Sequence, residues 1–205
     1  MKLLKICILT AIILNSAALN AKPLKTVSVL YFTNLRNIQS LKWLSKGIAD
    51  MLITDLSSSS KIIVIEREQL DKILNEQKLS MTGLTSQRDA VVVGKLLNAK
   101  HLVTGSFISS GRQIRVNIKI INIESGKITG AKAMGSMHNI FSLQNKIAKI
   151  IFIKMGLPVP KKFNKETKSI KAAKLYYTGL VNLDEGKVAI AMKQFTQATT
   201  LDPLY

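Results

Sequence analysis

The chain has 205 residues and carries 30 lysine and arginine residues against 12 aspartate and glutamate residues, which gives a formal net charge of +18. This basic excess favours anionic partner surfaces such as nucleic acid, anionic lipid or cell-wall polymer, although a genome-wide preference for lysine would also produce it. The single cysteine, Cys7, excludes a disulfide within the chain, so stability has to come from a hydrophobic core.

The first 21 residues have the pattern of a secretory signal peptide. Two lysines precede an apolar stretch at residues 6–14, and small or polar residues lead to cleavage at Ala21, with Ala18 as the alternative. An uncleaved anchor has the same pattern, although the apolar stretch is short for a membrane span. Cys7 lies inside that stretch, so no lipoprotein anchor is expected. The mature chain would have 205 − 21 = 184 residues, and export argues against nucleic acid as a partner.

The mature part opens with a strand and a helix. Residues Val27–Phe32 form an apolar run that predicts a buried strand. From Ser40 to Leu56 apolar residues recur at three- and four-residue steps, which is typical of an amphipathic helix. Gly47 lies within this helix, and we expect it to let the helix approach the sheet closely.

A second strand is predicted at Lys61–Ile65, a short helix at Glu66–Gln77 and another helix from Ser86 to about Leu97. Residues Lys100–Ser136 then predict three antiparallel strands, because the middle one alternates apolar and polar residues as a strand with one buried face does. Asn139 can cap a last helix that ends near Met155. The fold class predicted is therefore α/β, with helices packed on a mixed sheet in the order β-α-β-α-α-β-β-β-α.

This α/β domain would span residues 22–157, and the composition changes after it. Residues 158–171 contain two prolines, which stop the preceding helix, and five lysines. A solvated basic linker is the prediction, with a basic docking segment as the alternative. Its lysines are Lys161, Lys162, Lys165, Lys168 and Lys171.

Residues 172–205 predict a helical hairpin with the spacing of one tetratricopeptide (TPR) repeat. The residues that fit the repeat are Gly179, Ala191, Phe195, Ala198 and Pro203. Small residues there permit close helix contact, and the phenylalanine fills the gap between the helices. A generic helical hairpin is the alternative, because Leu175, Thr178 and Asn182 stand where the repeat prefers tryptophan, leucine and tyrosine.

One repeat cannot bury its own apolar face. We therefore expect the face that includes Leu180, Leu183, Phe195 and Leu201 to dock weakly on the α/β domain or to pair with a second subunit. A repeat from a longer, truncated array is the other interpretation.

No set of residues has the spacing of a catalytic, cofactor or metal site. Ser58 and Lys61 match the spacing of a penicillin-binding nucleophile motif, but its Ser-Asp-Asn and Lys-Thr-Gly partners are missing. His101 and His138 have no acid or cysteine at metal-ligand spacing. The prediction is a protein that is not an enzyme and uses no cofactor.

Several stretches resemble the CsgG-type periplasmic domain and, equally, the TolB N-terminal-like domain of exported TPR proteins. The resemblance covers about residues 25 to 157, and the repeat after it fits the same domain arrangement. The stretches are VSVLYFTNL, LKWLSKGIADMLITDLS, KIIVIEREQLDKILNEQ, VGKLLNAKHLVTGSF, QIRVNIKIINIESGKI and SLQNKIAKII.

The resemblance implies a role in cell-envelope assembly, secretion or outer-membrane association, and it implies no active site. Pore formation is not implied, because the lipidation cysteine is missing and the three strands leave no room for membrane hairpins. We predict an exported periplasmic adaptor that binds envelope proteins, with outer-membrane association and homo-oligomer formation as options. The alternative is a basic module that binds anionic cell-wall polymer or a membrane surface.

Overall fold

The computed structural model describes residues 24–76, 87–163 and 169–203. The predicted signal peptide, Ser86, Lys165 and Lys168 lie outside the described residues, so the expectations for them stay predictions.

The described residues form six strands and six α-helices. Short 3-10 turns at Gln39–Leu41 and Met137–Asn139 lead into the first and fourth helices. The elements are β1 (Lys25–Val29), β2 (Thr33–Asn34), α1 (Trp43–Ser57), β3 (Ile62–Val64), α2 (Arg67–Glu76), α3 (Gln87–Leu96), β4 (His101–Ser110), β5 (Gln113–Asn122), β6 (Ile128–Ser136), α4 (Ile140–Lys154), α5 (Ile170–Asp184) and α6 (Val188–Leu201).

All six strands belong to one sheet, and the sheet is mixed, as the sequence predicts. Its order is β3-β1-β4-β5-β6, with parallel pairing among β3, β1 and β4 and antiparallel pairing from β4 to β6. The short strand β2 is not in the sequence prediction. The chain leaves β1 at Val29 and rejoins the sheet farther along β4, where Thr33 pairs with Ser106.

The two faces of the sheet bury different cores. Alternation along β5 directs Ile114, Val116, Ile118 and Ile120 into the larger core, which α1 and α4 cover. On the other face Ile121 belongs to a smaller core beneath α2 and α3. Each fully buried aliphatic side chain contributes about 1.5–3 kcal/mol relative to an exposed one, so the larger core dominates the stability of the domain.

Helix α4 begins and ends on specific caps. The Asn139 side chain accepts a hydrogen bond from the Ser142 amide at 3.3 Å, as the sequence predicts. The end of the helix differs from the prediction that the prolines stop it. Gly156 has φ +66° and donates to Ile153 O, while the Leu157 amide donates to Phe152 O. This pair of bonds is a Schellman cap, which needs a left-handed residue such as glycine.

The segment after the cap is held to the domain at its start. Leu157, Val159 and Phe163 pack against the larger core, and the Phe163 ring lies 6.1 Å from that of Phe152. The prediction of a solvated linker at residues 158–171 is therefore wrong for the start of the segment, which contacts the domain. Within residues 24–76, 87–163 and 169–203, no helix is long and apolar enough to cross a membrane.

Candidate interaction surface

The helices α5 and α6 pack against each other as a helical hairpin, and Gly179 lies at their contact. A Cβ atom at Gly179 would lie 2.5 Å from the Phe195 ring, so any larger residue would collide with that ring. The Phe195 ring also lies 5.7 Å from the Tyr176 ring. Ala191 and Ala198 are buried in α6, whose principal neighbour is α5. Four of the five residues with repeat spacing thus serve the packing of these two helices, and Pro203 follows α6 in an exposed position.

The hairpin is docked on α1 through an aromatic side chain. Tyr177 is only 1% exposed and belongs, with Ala173, to the larger core of the α/β domain. A Cβ at Gly47 would approach the Tyr177 ring to 3.0 Å and the Trp43 ring to 3.4 Å. The expectation for Gly47 is therefore wrong in its partner, because the glycine makes room for Tyr177 of α5 instead of for the sheet.

Ion pairs join the turn of the hairpin to the start of α1. Lys42 pairs with Glu185, Lys46 pairs with Asp184, and Lys187 donates to Glu185 at 2.7 Å. Hydrogen bonds from Lys187 and then from Lys42 lower the pKa of Glu185 to about 2. The two pairs of Glu185 are exposed and contribute little to stability, so they orient the hairpin while Tyr177 supplies the apolar contact.

Lys46 differs from the other lysines at this contact because it is buried. Its ammonium group lies 5.3 Å from the centre of the Tyr31 ring, a cation–π arrangement. The positive charge of Lys46 is therefore fixed between α1, Tyr31 and the acidic turn of the hairpin.

The apolar face expected on the hairpin is divided between the domain and solvent. Leu180 packs against the larger core and Phe195 is half-buried, whereas Leu183 and Leu201 are exposed. The expectation of docking on the domain agrees with this arrangement. Helix α6 also exposes Val188, Ile190, Met192 and Leu201, which flank its buried stripe on both sides.

Ser58, His101 and His138 occupy the ends of separate helices and strands. Ser58 is the C-cap of α1, where its hydroxyl donates to Asp55 O at 2.6 Å. His101 is half-buried at the start of β4, and His138 is exposed before α4. In the part of the chain that the structure describes, no three His, Cys, Asp or Glu side chains lie together as a metal site. Of the basic segment, Lys161, Lys162 and Lys171 are exposed.

A family comparison decides what the α/β domain is. The family model described as the curli production assembly/transport component CsgG matches residues 11–115, which is 105 of the 205 residues. This chain belongs to the CsgG family. The match runs from the predicted signal peptide into β5, so the hairpin that docks on the CsgG-family domain lies outside it.

The CsgG-family chain is also similar to a curated protein and to several solved structures. The curated protein is the putative adenylate cyclase 3 of Rhizobium meliloti (strain 1021), which is 26% identical over 134 residues. That alignment covers 65% of this chain and 21% of the relative, so the chain spans about a fifth of the relative's length.

Three solved structures are similar to this chain at low sequence identity. The NMR structure of E. coli LpoB has a TM-score of 0.47 at 15% identity, covering 58% of this chain and 60% of LpoB. TolB from Acinetobacter baumannii has a TM-score of 0.44 at 11% identity, covering 67% of this chain and 30% of TolB. Lipoprotein GNA1162 from Neisseria meningitidis has a TM-score of 0.44 at 8% identity, covering 64% of this chain and 98% of the lipoprotein.

Proposed function

We propose that this protein is an exported, non-enzymatic adaptor of the cell envelope that acts by binding another protein. Membership of the CsgG family supports the envelope assignment. The observation that carries the adaptor role is the exposed pair Val188 and Met192, apolar side chains one turn apart on the same side of α6. Helix α6 is held in place by its packing on α5, which Tyr177 docks on the domain. Contiguous exposed apolar surface commonly marks a protein interaction site.

The chemistry of α6 indicates the kind of partner. Helix α6 contains Lys193 and follows Lys187, and it has no acidic residue of its own. The acidic turn residues Asp184 and Glu185 are already paired with lysines. The complementary partner is therefore an amphipathic protein segment that presents apolar side chains together with carboxylates.

The hairpin forms one TPR-type repeat in this proposal, because its repeat-spaced residues make the helix contact. Such repeats bind peptide segments on their exposed helices. In this organisation residues 22–157 form the envelope domain, residues 158–171 connect the two parts, and residues 172–205 present the interaction surface.

Site-specific photocrosslinking tests the adaptor role with a matched pair of positions. A photoreactive residue replaces either Met192, which is 64% exposed on α6, or Met134, which is 56% exposed on β6. Crosslinking in intact cells should give a discrete heterologous product at Met192 and none at Met134. The product at Met192 should disappear when Val188→Glu is added, because Val188 is exposed one turn before Met192 on the same side of α6. Equal products at both positions, no product at Met192, or a product containing only this chain would contradict the adaptor role.

The second candidate is a basic module that binds anionic polymer or a membrane surface. It is favoured by the net charge of +18 and by the exposed lysines of the connecting segment. Sedimentation with cell-wall material should then fall steeply with added salt, because screening acts on exposed charges. Binding unaffected by salt would exclude this candidate.

A further inference from the structure

A cationic cavity of about 160 Å³ lies at one end of the sheet, on residues that the α6 surface does not use. It forms where β1, β4 and β6 begin, β5 ends and α4 reaches its C-cap. Its walls are Lys25, His101, Ile120, Asn122, Ser125, Lys127, Thr129, Lys154 and Met155.

Pairing in the sheet brings these distant residues together. His101 pairs with Asn122 across β4 and β5, and Ile120 pairs with Thr129 across β5 and β6. The turn between β5 and β6 is closed by the backbone N–H of Asn122, which donates to Lys127 O at 2.9 Å. Asn122 Oδ1 also accepts from Ser125 N at 2.8 Å and Ser125 Oγ at 2.9 Å. These bonds fix the Asn122 side chain at the wall of the cavity.

The lysines make the cavity strongly positive. Lys25, Lys127 and Lys154 line it, and no aspartate or glutamate is among its lining residues. Lys25 Nζ donates to Met155 O at 2.7 Å, which uses one of its three N–H groups. The C-terminus of α4 opposes an anion with about half a negative charge. Three ammonium groups outweigh that half charge, so the cavity favours an anion.

The His101 side chain lines the cavity, is affected by the nearby lysine charges and has one ring nitrogen without a hydrogen-bond partner. Burial, followed by the charges of Lys25 and Lys100, lowers the pKa of His101 to about 4, so the imidazole is neutral at pH 7. Within the described residues, His101 Nδ1 is buried without a hydrogen-bond partner. Unpaired buried polar atoms in native proteins often mark the place of a water molecule or an ion.

We propose that this cavity is a binding site for a phosphate group. Lysine ammonium groups bind phosphate as point charges, and threonine and asparagine side chains are common additional donors to phosphate oxygens. The cavity is open to solvent, and its volume of about 160 Å³ admits a phosphate with a short ester substituent. A free phosphate monoester and the headgroup of a phospholipid carry the same chemistry, and both fit this description.

Calorimetric titration of the full chain at constant ionic strength tests the site, with glycerol 1-phosphate as the probe. The Lys127→Ala/Lys154→Ala variant should lose at least about tenfold in affinity, because hydrogen bonds to charged groups are lost. The Lys72→Ala/Lys95→Ala variant removes the same charge from exposed positions on α2 and α3 and should bind as the wild type does. Equal losses in both variants, or no binding by the wild type, would overturn the proposal.

Two further measurements keep the test decisive. The ring resonances of His101 should shift saturably when inorganic phosphate is added to the wild type, and their failure to shift would overturn the proposal even if the double variant does not fold. Vesicles containing phosphatidic acid are then compared with phosphatidylcholine vesicles. Binding that needs Lys127 and Lys154 identifies a lipid headgroup, whereas site-dependent binding of glycerol 1-phosphate alone identifies a soluble ester. Both results support the site. Val188→Glu should leave phosphate binding unchanged, so the adaptor role and this site can fail separately.

Discussion

The docking of the helical hairpin can be tested by replacing one side chain, Tyr177→Ala. Tyr177 is 1% exposed and packs over Gly47, beside Trp43, so its removal leaves a cavity between α5 and α1. Truncation of a buried aromatic residue costs about 3–5 kcal/mol, which is a large part of the roughly 5–15 kcal/mol that stabilises a typical domain. We expect the free energy of unfolding to fall by that amount if the hairpin and the domain unfold as one unit.

Urea unfolding followed by tryptophan fluorescence measures this effect at the right place. Trp43 is the single tryptophan, is 4% exposed and lies at the docking contact. For the wild type, the fluorescence transition should coincide with the transition seen by far-UV circular dichroism, as two-state unfolding requires. For Tyr177→Ala, the midpoint should shift to lower urea in both signals.

A matched control and a deletion separate docking from general destabilisation. Leu183→Ala changes an exposed residue of the same helix and should alter stability by less than about 0.5 kcal/mol. Deletion from Ala172 onward should leave the sheet and its two cores folded, with Trp43 exposed to water and the emission shifted to longer wavelength. A Trp43 transition that stays at the wild-type midpoint in Tyr177→Ala would refute the docking role of Tyr177, because this side chain would then contribute nothing to the shared core.

Three other predictions concern the hairpin contact and two titrating groups. Gly179→Ala places a Cβ 2.5 Å from the Phe195 ring and should lower the free energy of unfolding, measured by thermal unfolding, by about 1–3 kcal/mol. The control Gly130→Ala meets no atom within 4 Å and should be close to neutral. Equal effects of the two substitutions would contradict the Gly179–Phe195 contact. The pKa of His101 is lowered to about 4 in the folded protein, against 6.5 in the unfolded chain. Between these pH values the unfolded state binds more protons than the folded state. The stability from neutral His101 is therefore retained above pH 6.5 and lost as the pH falls towards 4. At this half-buried site the loss should be about 1–2 kcal/mol after solvent screening; His101→Gln should remove it, and an unchanged pH profile would exclude His101 as its source. NMR titration should give Glu185 a pKa of about 2, and Lys187→Met should raise it, because the Lys187 hydrogen bond is the largest cause of the shift.

Local patterns in the sequence are sufficient for most of the elements. The alternation in β5 and the three- and four-residue steps in α1 are set by neighbours along the chain, so they can be read without knowing the fold. The Asn139 cap can also be predicted from the sequence alone. So can the contact between Gly179 and Phe195, which the repeat spacing indicates. The strand β2 is missed because two residues carry no periodicity, and their pairing with β4 depends on the position of β4 in space.

What the sequence by itself determined is therefore most of the strands and helices, the mixed α/β class and the apolar faces of the longer elements. The tertiary structure decided which faces meet. The local sequence predicts that Gly47 lies at a contact between helix and sheet, yet its partner is Tyr177, 130 residues later in the chain. The cavity likewise combines Lys25, His101, Lys127 and Lys154, and their spacing in the sequence does not indicate that they line one site. Periodicity reports only whether a side chain is buried, whereas its partner depends on how whole elements pack, and that information lies in long-range contacts.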